Sequence, residues 1–260
     1  MIGGISVIND AFDNRTDAII SPELVYGSQN KLCDICIITF SKTVQESILK
    51  RFDCTQIAAI ISVNGDIPIY KFVHGDKEFS FYMSLVSSTC AGTCIEEARC
   101  LVGATKYILF GSCGTLSNEI TAGKLIVPTH AYRDEGFSYH YIAADDYIEI
   151  KNASVVAEIL NDLGLPYSMG KTWTTDGIYR ETRGNMEKRK SEGCIAVEME
   201  CAGLQAVCDF RGLDFYAFLF SGDMLDLPVW DQRILGMDEE TNHQLSSFHI
   251  ALELAQRLCP

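Results

Sequence analysis

The chain has 260 residues, of which 47% are hydrophobic and 22% charged, and its formal net charge is −14. This is globular composition with enough apolar material for a sizeable core. The acidic balance argues against a general binder of nucleic acid or anionic membrane, while leaving an anionic small molecule open, because a local field can oppose the global one.

The first residues, MIGGISVINDAFDNR, lack the basic start and apolar core of an export signal, and no window resembles a membrane span. A cytoplasmic location is expected. The 11 cysteines, an odd number, then read as reduced thiols. Cys33 and Cys36 form a lone CxxC with no second pair or histidine couple to complete a zinc site, so they read as small apolar residues in or beside a strand.

Run length, periodicity and Gly/Pro punctuation give the elements in order. Asp34–Phe40 is a buried strand and Lys42–Phe52 a helix. Phe79–Ser87 is a strand and Gly92–Val102 a helix. Lys106–Phe110 is a strand running into the glycine-rich stretch Gly111-Ser112-Cys113-Gly114. Lys124–Pro128 is a strand, and Ser154–Leu163 a helix ended by Gly164 and Pro166. Thr182–Ser191 is a charged helix that Thr182 can cap. Cys201–Arg211 is a helix closed by Gly212, Asp214–Phe220 a buried strand, and Thr241–Leu258 a terminal helix. Strands separated by helices predict a three-layer α/β/α arrangement in one domain over 1–260. Ligands of such sheets sit beyond the carboxyl ends of the strands.

Four stretches at strand ends carry polar chemistry. Gly111–Gly114 reads as a turn whose free N–H groups can hold an anion, with the Ser112 hydroxyl beside them. Ser221-Gly222-Asp223 places a carboxyl at a strand end, and Arg233 follows ten residues later, where a returning loop can bring its guanidinium to Asp223. Arg133–Tyr141 packs charge, aromatics and His140 into nine residues, and Trp173–Thr182 joins a β-like stretch to a helix. The strangest stretch is Val197-Glu198-Met199-Glu200, with two glutamates inside an apolar run. Carboxylates are seldom buried without partners.

In this order, GSCG, RDEGFSYHY, WTTDGIYRET, VEMECAG and SGD resemble the nucleoside phosphorylase family of the uridine phosphorylase and hexameric purine nucleoside phosphorylase type. The resemblance runs from about residue 33 to 258. It implies a mixed, partly barrel-like central sheet and phosphorolysis of a nucleoside to ribose 1-phosphate and free base. It implies phosphate as co-substrate, no metal or organic cofactor, and a homo-oligomer. It places Glu200 on the ribose 2′- and 3′-hydroxyls, with Met199 under the sugar and Ser112 near ribose or phosphate. A vicinal diol donating two hydrogen bonds supplies the partners a buried carboxylate needs. The resemblance puts Val197, Glu198, Ile178, Tyr179, Cys113, Gly114, Gly222 and His140 along the base, Gly111 by the phosphate, and Asp223 as the acid that protonates the leaving base, assisted by Arg233. The family's pyrimidine-reading Gln is missing from Arg180–Arg183, which favours a purine. Ile178 replaces a family aromatic, leaving Trp173 or Tyr179 to stack on the base.

The phosphate machinery departs from the family. Leu109 stands where an arginine is expected, Ile38–Val44 lacks the glycine and arginine of the N-terminal phosphate motif, and no arginine lies between Arg51 and Arg99. Arginine grips phosphate bidentately in a way leucine cannot replace. Three readings therefore stand: a phosphorylase with a rebuilt phosphate site, a nucleoside hydrolase with Glu198 as the base that activates water, or a nucleoside binder without turnover. No histidine precedes His74, so the family's 5′-hydroxyl contact has no counterpart.

Overall fold

Alternation along single strands sets the layers. On β1 (Ile35–Thr39), Cys36 and Ile38 enter one apolar cluster while Ile35 and Ile37 enter another, as the period of two requires. The computed structural model describes residues 8, 11–27 and 31–259, so most of the segment read for an export signal lies outside the described residues. After β1 come α2 (Lys42–Arg51), β2 (Thr55–Ile60), β3 (Ile67–His74), β4 (Lys77–Met83), α3 (Ser88–Val102), β5 (Lys106–Thr115) and α4 (Asn118–Thr121), a short α1 (Pro22–Tyr26) having preceded it. There follow β6 (Leu125–Asp134), β7 (Tyr147–Glu149), α5 (Ala153–Asp162), β8 (Tyr167–Thr175), α6 (Arg183–Ser191), β9 (Cys194–Glu198), α7 (Cys201–Arg211), β10 (Asp214–Met224) and α8 (Asp238–Leu258).

The strands form one sheet in the order β10-β6-β8-β9-β5-β1-β4-β3-β2, with β7 on β6. β10 also pairs with β5, so β5, β9, β8, β6 and β10 close into a five-stranded ring. Helices cover both faces. Leu204, Val207 and Cys208 of α7 and Ile95, Ala98 and Leu101 of α3 pack with Tyr107 and Leu109 of β5. Val44 and Ile48 of α2, Val156 and Leu160 of α5, and Phe248 and Leu252 of α8 pack on Ile108 and Phe110. Each fully buried side chain of this size contributes about 1.5–3 kcal/mol.

Two glycines let α3 and α7 approach one loop ring. A Cβ on Gly92 would collide with the ring of Phe137, and one on Gly203 would lie 3.1 Å from the same ring. Cys33 and Cys36 are buried free thiols beside and within β1. Among the described residues no helix is long and apolar enough to cross a membrane.

Several elements differ from the sequence reading. β5 continues through Gly111–Gly114 instead of turning, because β10 stays paired with it as far as Thr115. β10 likewise runs through Ser221-Gly222-Asp223, with an irregularity in register between Ser221 and Asp223. The strand expected over Phe79–Ser87 stops at Met83, and α3 begins earlier than expected, at Ser88. β2, β3, β7 and β9 are strands the sequence pattern does not mark, and of β8 (Tyr167–Thr175) it marks only the β-like end at Trp173.

Candidate active site

A cavity of about 210 Å³, several times the ~30 Å³ share of one water molecule, opens where β5 changes partners. β1 pairs with β5 as far as Leu109, and β9 joins it only at Gly114. The stretch between forms the floor, with Gly111, Ser112, Cys113 and Gly114 all lining the cavity. The Gly111–Gly114 backbone is therefore ladder, not the anion-holding turn expected. Gly114 is required by close approach. A Cβ there would sit 2.9 Å from Val197 Cγ1 and 3.2 Å from Asp223 Oδ1.

The two glutamates have different jobs. Glu198 closes β9 and its carboxylate is saturated. Oε1 accepts from the hydroxyls of Thr172 (3.2 Å) and Thr174 (2.5 Å), and Oε2 from the N–H groups of Glu200 (2.7 Å) and Cys201 (2.6 Å). Burial pushes its pKa up, and these hydrogen bonds oppose the rise. A carboxylate offers about four lone-pair sites. None is left for water, so the general-base role expected for Glu198 does not fit. It anchors the N-terminus of α7 to β8, where the free N–H groups of the first turn favour an anion.

Glu200, at the start of α7, accepts from Ser87 N–H at 2.8 Å and Met199 N–H at 3.3 Å and has spare acceptor capacity toward the cavity it lines. Burial, aided by the charge of Glu198, raises its carboxyl to about 8. Ser87 supports it with a backbone that L residues avoid, φ 112°. Its hydroxyl also caps α3 by accepting from Cys90 N–H at 3.3 Å.

Asp223 lies across the cavity, 9% exposed, with its pKa raised by burial. The expected ion pair with Arg233 is not formed. Arg233 donates to Ser221 Oγ (3.3 Å) and Asn118 Oδ1 (2.7 Å) and pairs with Asp231, a geometry set by its own left-handed backbone at φ 47°. Trp230 takes the place at Asp223 instead, its indole N–H donating to Oδ2 at 2.6 Å. Sequence reasoning missed Trp230, although it shares the Trp230–Arg233 segment.

Val197, Met199, Cys113 and Ile178 line the cavity; Gly222 does not, a Cβ there lying 3.0 Å from Ser112 Cβ. Tyr179 does not, being 96% exposed, and Trp173 is held in the core beside Leu116 and Met186. Neither offers a ring to a base. The rings that line the cavity are Phe40 and Phe110, of which Phe40 follows β1 directly. His140 is exposed and borders a second cavity with Phe137, Tyr141 and the 13–26 segment. Its loop is tied to itself. Arg133 donates to Ser138 Oγ at 2.8 Å and to the Ala143 carbonyl at 2.8 Å, and Glu135 accepts from the Ser138 hydroxyl and N–H. That internal bonding explains the density of polar residues there.

A family model of the phosphorylase superfamily matches residues 34–258. The chain belongs to this superfamily, and its closed ring with flanking helices is the corresponding fold. It is 26% identical over 224 residues to a DeoD-type purine nucleoside phosphorylase of Alkaliphilus metalliredigens, covering 83% of this chain and 90% of that one. It is 21% identical over 164 residues to a guanosine phosphorylase of Halorubrum lacusprofundi, covering 62% and 67%. A mutant futalosine hydrolase of Helicobacter pylori superposes with a TM-score of 0.68 at 17% identity, over 87% of this chain and 100% of that chain.

Proposed function

We propose that the protein cleaves the N-glycosidic bond of a purine nucleoside and that water is the acceptor. The observation that carries this reading is the lack of cationic side chains around the cavity. Four carboxyl groups line it, those of Glu181, Glu198, Glu200 and Asp223, and among the described residues no lysine, arginine or histidine does. A phosphate dianion placed there meets no counter-charge, and each carboxyl that ionises at about 4 Å from it costs about 4 kcal/mol at an effective dielectric of 20. Water carries no such penalty. The hydrolase that shares the fold is in keeping with this.

The residues divide the work of an oxocarbenium-like displacement. Glu200 receives the ribose diol, with Met199 beneath the sugar. Asp223 gives its proton to the base as the C–N electron pair leaves with it. Burial raises the Asp223 carboxyl, the direction a general acid needs. Trp230 on Oδ2 makes that oxygen the acceptor and leaves Oδ1 to carry the proton. Water bonds to C1′ from the side of the Thr39, Ser41 and Ser112 hydroxyls as the C–N bond breaks, and its spare proton passes out to solvent, leaving free ribose.

Phosphorolysis is the second reading, and the named phosphorylases among the sequence relatives favour it. Incubation with adenosine, inosine, guanosine and uridine, with and without phosphate, separates the two. Free ribose at a rate indifferent to phosphate is expected. Ribose 1-phosphate appearing only with phosphate overturns the hydrolytic assignment. Homo-oligomeric assembly forms part of the proposal, supported by the exposed Ile19, Ile20, Leu24 and Val25, and sedimentation tests it.

A further inference from the structure

The apolar layer between the sheet and α8 ends in polar side chains at one level. On β1 the row facing that layer runs Ile35, Ile37, Thr39, and on β5 it runs Ile108, Phe110, Ser112, successive members lying two apart as one strand face requires. On α8 the facing stripe runs Leu252, Phe248, Gln244, one turn between each. Thr39, Ser112 and Gln244 all line the cavity, with Ser41, the cap of α2. Two contacts hold this part of α8 over Ser112. His243 stacks on Phe220 with ring centroids 5.7 Å apart, and Phe220 is the register partner of Ser112. Leu235, in the chain leading into α8, comes within 3.6 Å of the Cβ position of Gly222, which is itself 3.0 Å from Ser112 Cβ.

Gln244 is out of place in its stripe. It is a half-buried amide where the helix otherwise presents apolar side chains, and it makes no hydrogen bond among the described residues. An amide taken out of water is stabilised only if a partner replaces it. The hydroxyls beside it are already oriented. Thr39 Oγ1 accepts from Ser41 N–H at 3.2 Å and Ser41 Oγ from Val44 N–H at 3.3 Å, which leaves both hydroxyl protons to donate. Gln244 Oε1 is the acceptor of this set that carries no proton of its own. We infer that Gln244 holds the nucleophile. Water donates one O–H to Gln244 Oε1, accepts from one of the hydroxyls and keeps a lone pair for C1′. Gln244 aligns the water and takes no proton. As the C1′–O bond forms, the C–N bond breaks with its electron pair going to the base, and the spare proton passes to solvent. Such alignment lowers the barrier by settling the geometry beforehand. The inference rests on the reading of water as the acceptor.

The test compares wild type with Gln244→Leu on whichever of adenosine, inosine, guanosine and uridine wild type cleaves fastest, in water and in dilute methanol. Leucine continues the apolar stripe, and a melting curve checks that the variant is folded. Its kcat is expected to fall about tenfold, the scale of one lost hydrogen bond, while KM for the nucleoside moves less than twofold. Methanol has one O–H to donate where water has two, and its methyl group suits leucine better than an amide. The ratio of methyl riboside to ribose is therefore expected to rise about fivefold or more in Gln244→Leu. An unchanged ratio overturns the inference whatever happens to kcat, and a raised KM with an unchanged ratio makes Gln244 a contact of the nucleoside instead. Wild type that yields ribose 1-phosphate only with phosphate overturns the hydrolytic reading alone. KM for phosphate then decides on Gln244, a rise of about tenfold in Gln244→Leu supporting it and an unchanged value overturning it. No product from any nucleoside in wild type overturns both.

Discussion

The backbone N–H of Ser87 donates to Oε1 of Glu200 at 2.8 Å, joining positions 113 apart in the chain. A strained residue thereby holds the carboxylate proposed to bind ribose, and such strain persists where the surroundings over-determine it. Ser87→Gly keeps the N–H and relieves φ 112°, at a small cost in capping. It is expected to bind nucleoside as wild type does and to stay within a few tenths of a kcal/mol in stability. Ser87→Ala keeps the strain and loses the cap, at about 1 kcal/mol. Urea midpoints of the two variants check the contrast.

Stability is expected to fall as pH rises from about 4.5 to about 8. Glu200 has its folded pKa raised from 4.5 to about 8 and Glu181 from 4.5 to about 7. In that window the native state holds more protons than the unfolded one, so the slope of unfolding free energy against pH is negative. Denaturant titrations across the window test it, and Glu200→Gln is expected to flatten the slope.

Nucleoside binding is expected to release a proton below about pH 8, because a diol donating to Glu200 favours its ionised form. Calorimetry in buffers of different ionisation enthalpy measures this directly. A 2′,3′-dideoxynucleoside is expected to bind more weakly by roughly 1.5–3 kcal/mol, the worth of a hydrogen bond to a charged group, and to release fewer protons.

Asp223→Asn is expected to lower kcat by about 10²–10⁴-fold while KM moves little, the usual scale for a lost general acid. Trp230→Phe removes the 2.6 Å bond that lowers the Asp223 pKa. The alkaline limb of its kcat–pH profile is expected to move to higher pH. A profile identical to wild type in Trp230→Phe would remove Trp230 from the proton-donating unit.

Glu198→Ala strips four donors of their acceptor. Each buried donor left unsatisfied costs about 1–3 kcal/mol. The expected result is a protein that is largely unfolded at moderate temperature. Glu198→Gln, which accepts through one oxygen only, is expected to fall between it and wild type in thermal melts.

Much of the architecture was legible because β1, β5 and β10 are short apolar runs buried on both sides, bounded by helices with clear caps. The ends were harder. Pattern places a turn at Gly111 because glycine usually marks one, yet here glycine serves the close approach of Val197 and Asp223 to Gly114. The pair Glu198 and Glu200 was legible as a site. Their division of labour was not, since it depends on Thr172, Thr174 and Ser87, which only the fold brings near. Arg233 was read as the partner of Asp223 from spacing alone, and spacing does not fix which way a loop returns. His140 and Tyr179 sit in the right segments with side chains elsewhere.

Phe137 occupies the room that a side chain on Gly92 would otherwise fill, and it shares with Ser88 the room beside Gly203. The ring thus acts as a key between α3, whose start Ser87 caps, and α7, whose start carries Glu200. Amide protons of the first turn of α7 are bonded to Glu198 and Thr174, so their hydrogen exchange is expected to follow the parting of α7 from β8 and β9, reporting the opening of the cleft rather than fraying of the helix end.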